Sequence, residues 1–415
     1  MRAIIATPST SRYLWTAAAH RVRRDAGWGP GGILRLVDDV AAPRLPDAPG
    51  WVRLRPELSG ICGSDLGLAR AKISFVLSAF YQESRMIPGH EMVAVVAETG
   101  PGVTGLAVGD RVVVNPVMSC VQRGFDPICA TCAAGHPHLC HRLDEVGVGN
   151  CAAPAVGFAE AVGGGWGQEV VAHESQCYPV GTIPSQRAVL AEPAAIGLHA
   201  ALRWRRQGDR AVVIGPGTIG LVVTAALRRL HPDLDIAMVS PGEFGATKAL
   251  AAGASRILPA GPAAVEALAQ SDGGRVLRPR MTKTPILDRG VDVVFDCVGS
   301  TETIDLATHI LRPRGTVVLV GAAGKQTADW SLVWHRELTV VGTVFYGPEP
   351  ELAGATTFRR IVEWLDDPQY LIDGLVTHTF DLSQWTQALD TADAGPGAGA
   401  VKVTLRTNPD LPLIV

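Results

Sequence analysis

The sequence predicts an α/β protein with a doubly wound parallel sheet in its second half and a separate β-rich first half. Three observations carry this. AVVIGPGTIGLVVTAALRRL (211–230) reads as an apolar strand, a glycine turn and a helix. VDVVFDCVG (291–299) and GTVVLVGAAG (315–324) are continuous apolar runs, the pattern of strands buried on both faces of a parallel sheet. Before about residue 194 the texture differs: WVRLRPEL (51–58), MVAVVAET (92–99) and RVVVNPV (111–117) are short and punctuated by Gly, Pro and Asp.

The elements follow in order. TGPGVTGLAVGDRVVV delivers the chain through a turn into a buried strand. After the glycine turn, DIAMVS supplies the next strand, and helices are expected at 262–270 and 301–311 between the later ones. Beyond 346 a helix near 355–365 precedes a last strand, AVKVTL (400–405), expected to rejoin the first domain. The expected division is 1–193, 194–345 and a return over 346–415, with insertions at 67–87 and 272–289. There is no internal repeat, and the Gly-Pro-Ala run at 394–400 is a short loop.

Composition narrows the function. At 415 residues the chain suits two domains, and 47% apolar with 19% charged residues describes a globular protein. A net charge of −3 offers no broad field for nucleic acid or anionic lipid. The longest apolar runs, such as IGLVVTAAL (219–227), are too short to span a bilayer. MRAIIATPSTSRYLW lacks the apolar core and cleavage site of a signal peptide, so the expected location is the cytoplasm. In a reducing compartment, clustered cysteines point to metal before disulfides.

Four of the eight cysteines lie in Cys120-x8-Cys129-x2-Cys132-x7-Cys140, a lobe spanning 117–142. Two thiolates at CxxC spacing grip one tetrahedral zinc and a second pair closes the site. The eight residues between the first two are more than compact lobes use. Gly215-Pro216-Gly217-Thr218-Ile219-Gly220 matches GxGxxG in the strand–turn–helix context that dinucleotide binding requires. The acid that grips a ribose 2′-hydroxyl should stand about 20 residues on; that place is Ser240, which permits NADP. Lys248, and after it Arg228 or Arg229, are the nearest cations, while Glu243 pulls toward NAD; the reading leans to NADP.

Three further groups complete a pattern: Gly60-Ile61-Cys62-Gly63-Ser64-Asp65, Pro88-Gly89-His90-Glu91 and Ala191-Glu192-Pro193. With the cysteine lobe and the glycine turn, in this order, the chain resembles the zinc-dependent medium-chain dehydrogenases of alcohol, sorbitol and threonine over about 30–405. GVDVVFDCVGS, LRPRGTVVLVG and HRELTVVGT look like that family's cofactor domain. The resemblance implies a Rossmann-type sheet beside a β-rich, partly open barrel-like catalytic domain with a structural zinc lobe. It implies an NAD(P)-linked enzyme interconverting an alcohol with a ketone or aldehyde, two zinc ions per chain, and a homodimer or homotetramer.

The same resemblance assigns residues. Cys62 and His90 are implied as catalytic zinc ligands, with either Glu91 or Glu192 as the third, leaving one position open for water or substrate. Zinc there serves as a Lewis acid. Asp65 is implied to orient His90 from behind, and Ser64 to take the substrate proton. The relay histidine of many relatives is replaced by Gly67, which puts the usual proton exit in doubt. The nicotinamide is expected near Val320 and Gly321, with Val298 and Gly299 toward the adenosine. Many relatives space their first three lobe cysteines two apart, which would put Asp126 in the first position; a six-residue insertion after Cys120 is the preferred account, with carboxylate ligation by Asp126 the alternative.

Other polar residues read as structural. Cys151, Cys177 and Cys297 are expected to play no metal role, and His136, His138 and His141 to decorate the lobe. His199 reads as a packed helix residue near the cofactor, and Trp330 and Trp334 as core or subunit contacts. ISFVLSAFY, inside the first insertion, hints at a bulky or apolar substrate or a subunit contact. Three rival functions stand beside the leading one. A zinc-independent enone or quinone reductase of the same superfamily would generally lack the cysteine lobe and the Cys/His/Glu set. A cysteine-rich nucleic-acid module would need a basic face near 120–141, which, with the adjoining Arg142, has only two arginines against one aspartate. A non-catalytic zinc- and dinucleotide-binding protein keeps both motifs without turnover.

Overall fold

The computed structural model describes residues 1–79, 83–150, 152–282 and 284–415. The chain divides into two compact units. The first comprises 1–192, 358–366 and 376–415, and the second 193–357 and 367–375. The sequence reading placed the return at 346; instead the chain stays with the second unit to Thr357 and revisits it at Asp367–Leu375.

The strands are, in order, β1 (Ala3–Ala6), β2 (Leu34–Val37), β3 (Trp51–Gly60), β4 (Met92–Thr99), β5 (Arg111–Val114), β6 (Val170–His173) and β7 (Cys177–Pro179). The second unit adds β8 (Arg210–Ile214), β9 (Asp235–Val239), β10 (Arg256–Leu258), β11 (Val276–Leu277), β12 (Ile286–Leu287), β13 (Val291–Asp296), β14 (Leu311–Leu319) and β15 (Thr339–Gly342). The returning tail supplies β16 (Val376–Asp381) and β17 (Lys402–Arg406).

The first unit's main sheet has the order β16-β17-β3-β4-β5-β7, with β6 also on β3. Its end strands, β16 and β7, do not pair with one another, so the barrel-like sheet stays open. Alternation along β3 and β4 puts Val52, Leu54, Met92, Ala94 and Val96 in a core with Val112, Val170 and the fully buried Trp51. Strand β17 pairs antiparallel with β3 through Thr404↔Gly60 and Leu405↔Ser59, which brings the chain's last strand against Gly60, two residues before Cys62.

The second unit is a six-stranded parallel sheet of order β10-β9-β8-β13-β14-β15. In its own numbering this is 3-2-1-4-5-6, the order of the dinucleotide-binding fold. Every residue of β13 is buried, as a parallel strand covered on both faces requires. Helices form at Ala263–Asp272 and Thr301–Ile310, close to the expected spans. The second insertion folds back on itself as the antiparallel pair β11–β12, with Leu287 in the core. In the first insertion the helix begun at Gly63 ends at Ala69, and a 3-10 turn follows at Phe75–Ala79; the rest of ISFVLSAFY reaches beyond the described residues, as does Cys151.

Candidate active site and cysteine lobe

Strand β3 ends at Gly60 and delivers Cys62 to the N-cap of the helix Gly63–Ala69. Asp65, three residues on, accepts the Cys62 backbone N–H at 2.9 Å and so fixes the cysteine's backbone. Just before strand β4, Pro88-Gly89 turns with Gly89 at φ 93°, where a side chain would meet Trp166 and Ser59. That turn aims His90 and Glu91 inward; they are 4% and 1% exposed. Donor atoms of Cys62, His90 and Glu91 lie within 4.8 Å of one another.

This set fits a zinc ion. It offers one sulfur, one imidazole and one carboxylate, the borderline-soft mixture that zinc selects, with a fourth position to spare. The Glu192 carboxylate is buried in the first turn of the helix Ala191–Leu202, outside that group of three, yet close enough that its charge acts on His90 and on Lys402. Asp65 Oδ1 stands 3.8 Å from His90 Nδ1, an ion-pair separation too long for the direct hydrogen bond that would fix a tautomer. Burial alone would lower the His90 pKa, but Asp65, the Cys62 sulfur and Glu192 hold it well above the usual range.

A residue not anticipated from the sequence completes the site. Lys402, on β17, is 3% exposed, and its Nζ donates to both oxygens of Glu91 at 2.7 and 2.6 Å and to the Ile61 carbonyl at 3.1 Å. Burial works against its charge, but Glu91, Cys62 and Glu192 keep the ammonium protonated and its pKa raised. A carboxylate has about four lone-pair sites, so two donations from Lys402 leave Glu91 able to face a metal as well. Gly60 leaves room for this pair: a Cβ on it would stand 1.9 Å from Glu91 Oε2 and would push the carboxylate from Lys402. The one available signal was a lysine in the otherwise apolar AVKVTL.

In the lobe, the sulfurs of Cys120, Cys129, Cys132 and Cys140 also lie within 4.8 Å of one another. Cys120 and Cys140 are 3.6 Å apart, and Cys129 and Cys140 3.9 Å. Four sulfurs at about 2.3 Å from a zinc ion stand roughly 3.8 Å apart, so the cage already has zinc's dimensions. Asp126 is exposed and is not part of the group, which removes carboxylate ligation from the account. Burial opposes ionisation of Cys129, but the N–H groups of His141 and Cys132 draw its thiol down to about 6. His141 instead bonds the Thr131 hydroxyl at 2.5 Å, and His136 and His138 meet edge to face.

The dinucleotide turn has the geometry each glycine implies. Gly215 takes φ 100°, a Cβ on Gly220 would stand 1.9 Å from the Gly215 carbonyl oxygen, and a Cβ on Gly217 would meet nothing within 4 Å. The turn is therefore tight at the first and third glycines and open at the second, ahead of the helix Thr218–Leu230 whose first turn holds Ile219. Asp296, overlooked in the sequence, is wholly buried and accepts the N–H groups of Val298 and Gly299 at 3.0 Å each. It sets the loop after β13 against Gly321, where a Cβ would stand 2.5 Å from Val298 C.

The cations named for NADP are occupied. Lys248 Nζ donates to the Gly374 carbonyl at 2.8 Å. Arg228 holds the carbonyls of Gly253 and Pro232 with the Ser255 hydroxyl, and Arg229 pairs with Asp367. Ser240 turns its hydroxyl onto Gly242 O at 2.9 Å. His199 is not merely packed; its Nδ1 bonds the Glu349 carboxylate. Trp330 and Trp334 are 50% and 82% exposed, which excludes the core.

Comparison with known proteins decides the family. The family described as "Alcohol dehydrogenase GroES-like domain" matches residues 48–183, and "Zinc-binding dehydrogenase" matches 218–366. A protein of Saccharomyces cerevisiae named "Probable diacetyl reductase ((R)-acetoin forming) 2" is 31% identical over 374 residues, covering 85% of this chain and 81% of its own. The chain belongs to the zinc-dependent medium-chain alcohol dehydrogenases. L-idonate 5-dehydrogenase of Vitis vinifera is 28% identical to this dehydrogenase, covering 92% and 95% of the two chains. Sorbitol dehydrogenase of Arabidopsis thaliana is also 28% identical, covering 86% and 88%. Among solved structures, 2R,3R-butanediol dehydrogenase from Bacillus subtilis superposes with a TM-score of 0.67 at 24% identity, covering 90% and 96%, a likeness of fold. This dehydrogenase is thus an oxidoreductase acting on alcohols with a nicotinamide cofactor. No helix among the described residues is long and apolar enough to cross a membrane.

Proposed function

We propose that the chain oxidises a small vicinal diol or polyol at a secondary hydroxyl, and runs the reverse reduction, using zinc held by Cys62, His90 and Glu91 and a second zinc in the cysteine lobe. The observation that carries it is the buried Cys62–His90–Glu91 group backed by Lys402. Support for the substrate class comes from the relatives, named for idonate, sorbitol, xylulose and erythritol or threitol. When bound, zinc supplies a Lewis acid for the hydroxyl or carbonyl oxygen, and the dinucleotide supplies the hydride acceptor or donor.

The chain's own residues do the rest. Cys62 and Glu91 bring negative charge that holds the cation, while Lys402 offsets part of it and pins the Glu91 carboxylate. Asp65, 3.8 Å from His90 Nδ1, is proposed to act on the ring through its charge and not through a direct hydrogen bond. Ser64, half-buried one residue from the Asp65 cap, is the proposed first acceptor of the substrate proton. Gly67 offers no relay side chain, so the proton leaves that hydroxyl by way of water or the cofactor ribose. Val298, Gly299, Val320 and Gly321 are the proposed cofactor-facing backbone beyond the glycine turn.

We propose NAD as the preferred cofactor, reversing the lean of the sequence. The cations that would hold a 2′-phosphate are engaged elsewhere. The helix Glu243–Ala251 packs its Gly245 against Pro216 and Ser240, so its exposed first residue, Glu243, puts negative charge beside the glycine turn. A second copy of the chain is the proposed partner of the exposed edge strand β15. The test is a screen of vicinal polyols, amino alcohols and hydrophobic alcohols with both cofactors. The expected result is turnover of a vicinal polyol with kcat/KM at least about tenfold higher for NAD, a difference of about 1.4 kcal/mol. Activity confined to simple hydrophobic alcohols would refute the substrate class, and equal use of NADP the cofactor preference.

A further inference from the structure

The stretch between the first two lobe cysteines does more than lengthen the chain. It carries Arg123, which is 1% exposed. Its Nη2 donates to the Cys140 sulfur at 3.3 Å and its Nη1 to the Glu145 carbonyl at 3.3 Å, while Nε has no hydrogen-bond partner. Among the described residues no carboxylate pairs with it; the Glu145 side chain goes to Arg142 instead. The guanidiniums of Arg123 and Arg142 both lie over the Phe125 ring, 5.1 and 4.9 Å from its centroid. Gly147 closes the pocket, since a Cβ there would stand 2.6 Å from Arg123 Cβ.

A buried guanidinium cannot be neutralised by losing a proton, so some anion must face it. Four neutral thiols would provide none. Four thiolates around a divalent ion carry a net charge of about −2, and Arg123 is the guanidinium in hydrogen-bond contact with one of those sulfurs. We propose that Arg123 is the built-in counter-charge of the cysteine lobe, a positioning residue whose guanidinium clamps the Cys140 thiolate and slows loss of the metal. The inference rests on the reading of this lobe as a zinc site. It assigns a purpose to the wide first spacing: the added residues bring a cation under the cluster. A charge-assisted N–H···S bond withdraws density from the sulfur, making it a weaker nucleophile toward alkylating agents and a poorer target for protonation. The Cys129 backbone N–H, 3.3 Å from the Cys120 sulfur, does the same on the opposite pair, but without charge.

The test follows zinc, not turnover. Zinc per chain is counted in the wild type and in Cys120→Ser, and the rate of zinc loss to a coloured chelator is then compared in Arg123→Met and Arg123→Lys. The thiolate-to-metal charge-transfer band of the cobalt-substituted proteins is recorded in parallel. The expected result is zinc loss about 10–100-fold faster in Arg123→Met, with a displaced band, and an intermediate rate in Arg123→Lys. Should the methionine variant fail to fold, the lysine variant carries the test alone. Release at the wild-type rate with an unmoved band, in either variant, overturns the proposal. A wild type whose zinc content is unchanged by Cys120→Ser overturns instead the reading of the lobe on which it rests.

Discussion

Lys402 shows how much a candidate metal site can depend on a residue outside its donor set. It shares a buried pocket with Glu91, and each is the other's main counter-ion. Replacing Lys402 by Met leaves a buried carboxylate unpaired, a change that costs about 3–5 kcal/mol. Denaturant unfolding of the chelator-treated variant is expected to show a loss of that size, with Lys402→Arg retaining part of it; an unchanged midpoint for both would mean the pair contributes nothing. The lobe cysteines stood out because few side chains offer metal donors and CxxC spacing is restrictive, whereas Cys62 and His90 were reached only through the family resemblance. The sequence did not make Lys402 legible. The lysine's partner is 311 positions away, and a lone cation in a terminal strand reads as a solvated edge until β17 is paired with β3. The same holds for Asp296, whose carboxylate satisfies backbone groups that only the folded turn exposes.

At the scale of elements, long apolar runs were legible and short ones were not. Strands β8, β13 and β14 are continuous enough to announce a parallel sheet. By contrast β1 and β2 are four residues each, too short for a periodicity to show, and the helix Thr10–Ala19, capped by Ser9, was not anticipated. Strand β15 is the outer strand of the parallel sheet and is largely exposed, with Val340 at 37% and Val344, just past its end, at 49%. An unpaired edge beside Trp334 is what a second copy would cover. Val340→Lys is expected to shift the protein to a lower mass in light scattering after size exclusion, with the nucleotide still bound. A wild type that runs as a monomer would remove the proposed partner from this edge.

For the whole molecule, the two units divide the work: one carries both candidate metal-ligand clusters and the other the glycine turn. The apolar fraction and modest charge predicted an ordinary globular protein, and the family comparison makes it a dehydrogenase. What the residue pattern left open was which glutamate completes the site, and three-dimensional proximity favours Glu91. The central claim is that chemistry runs at the Cys62–His90–Glu91 group, while the lobe only stabilises its unit. The measurement that tests it most directly is steady-state alcohol oxidation by Cys62→Ser, made alongside NADH binding by the same variant. The account predicts turnover lowered by at least about 10³-fold, roughly 4 kcal/mol of transition-state stabilisation, with NADH binding intact. Wild-type turnover in Cys62→Ser would contradict it.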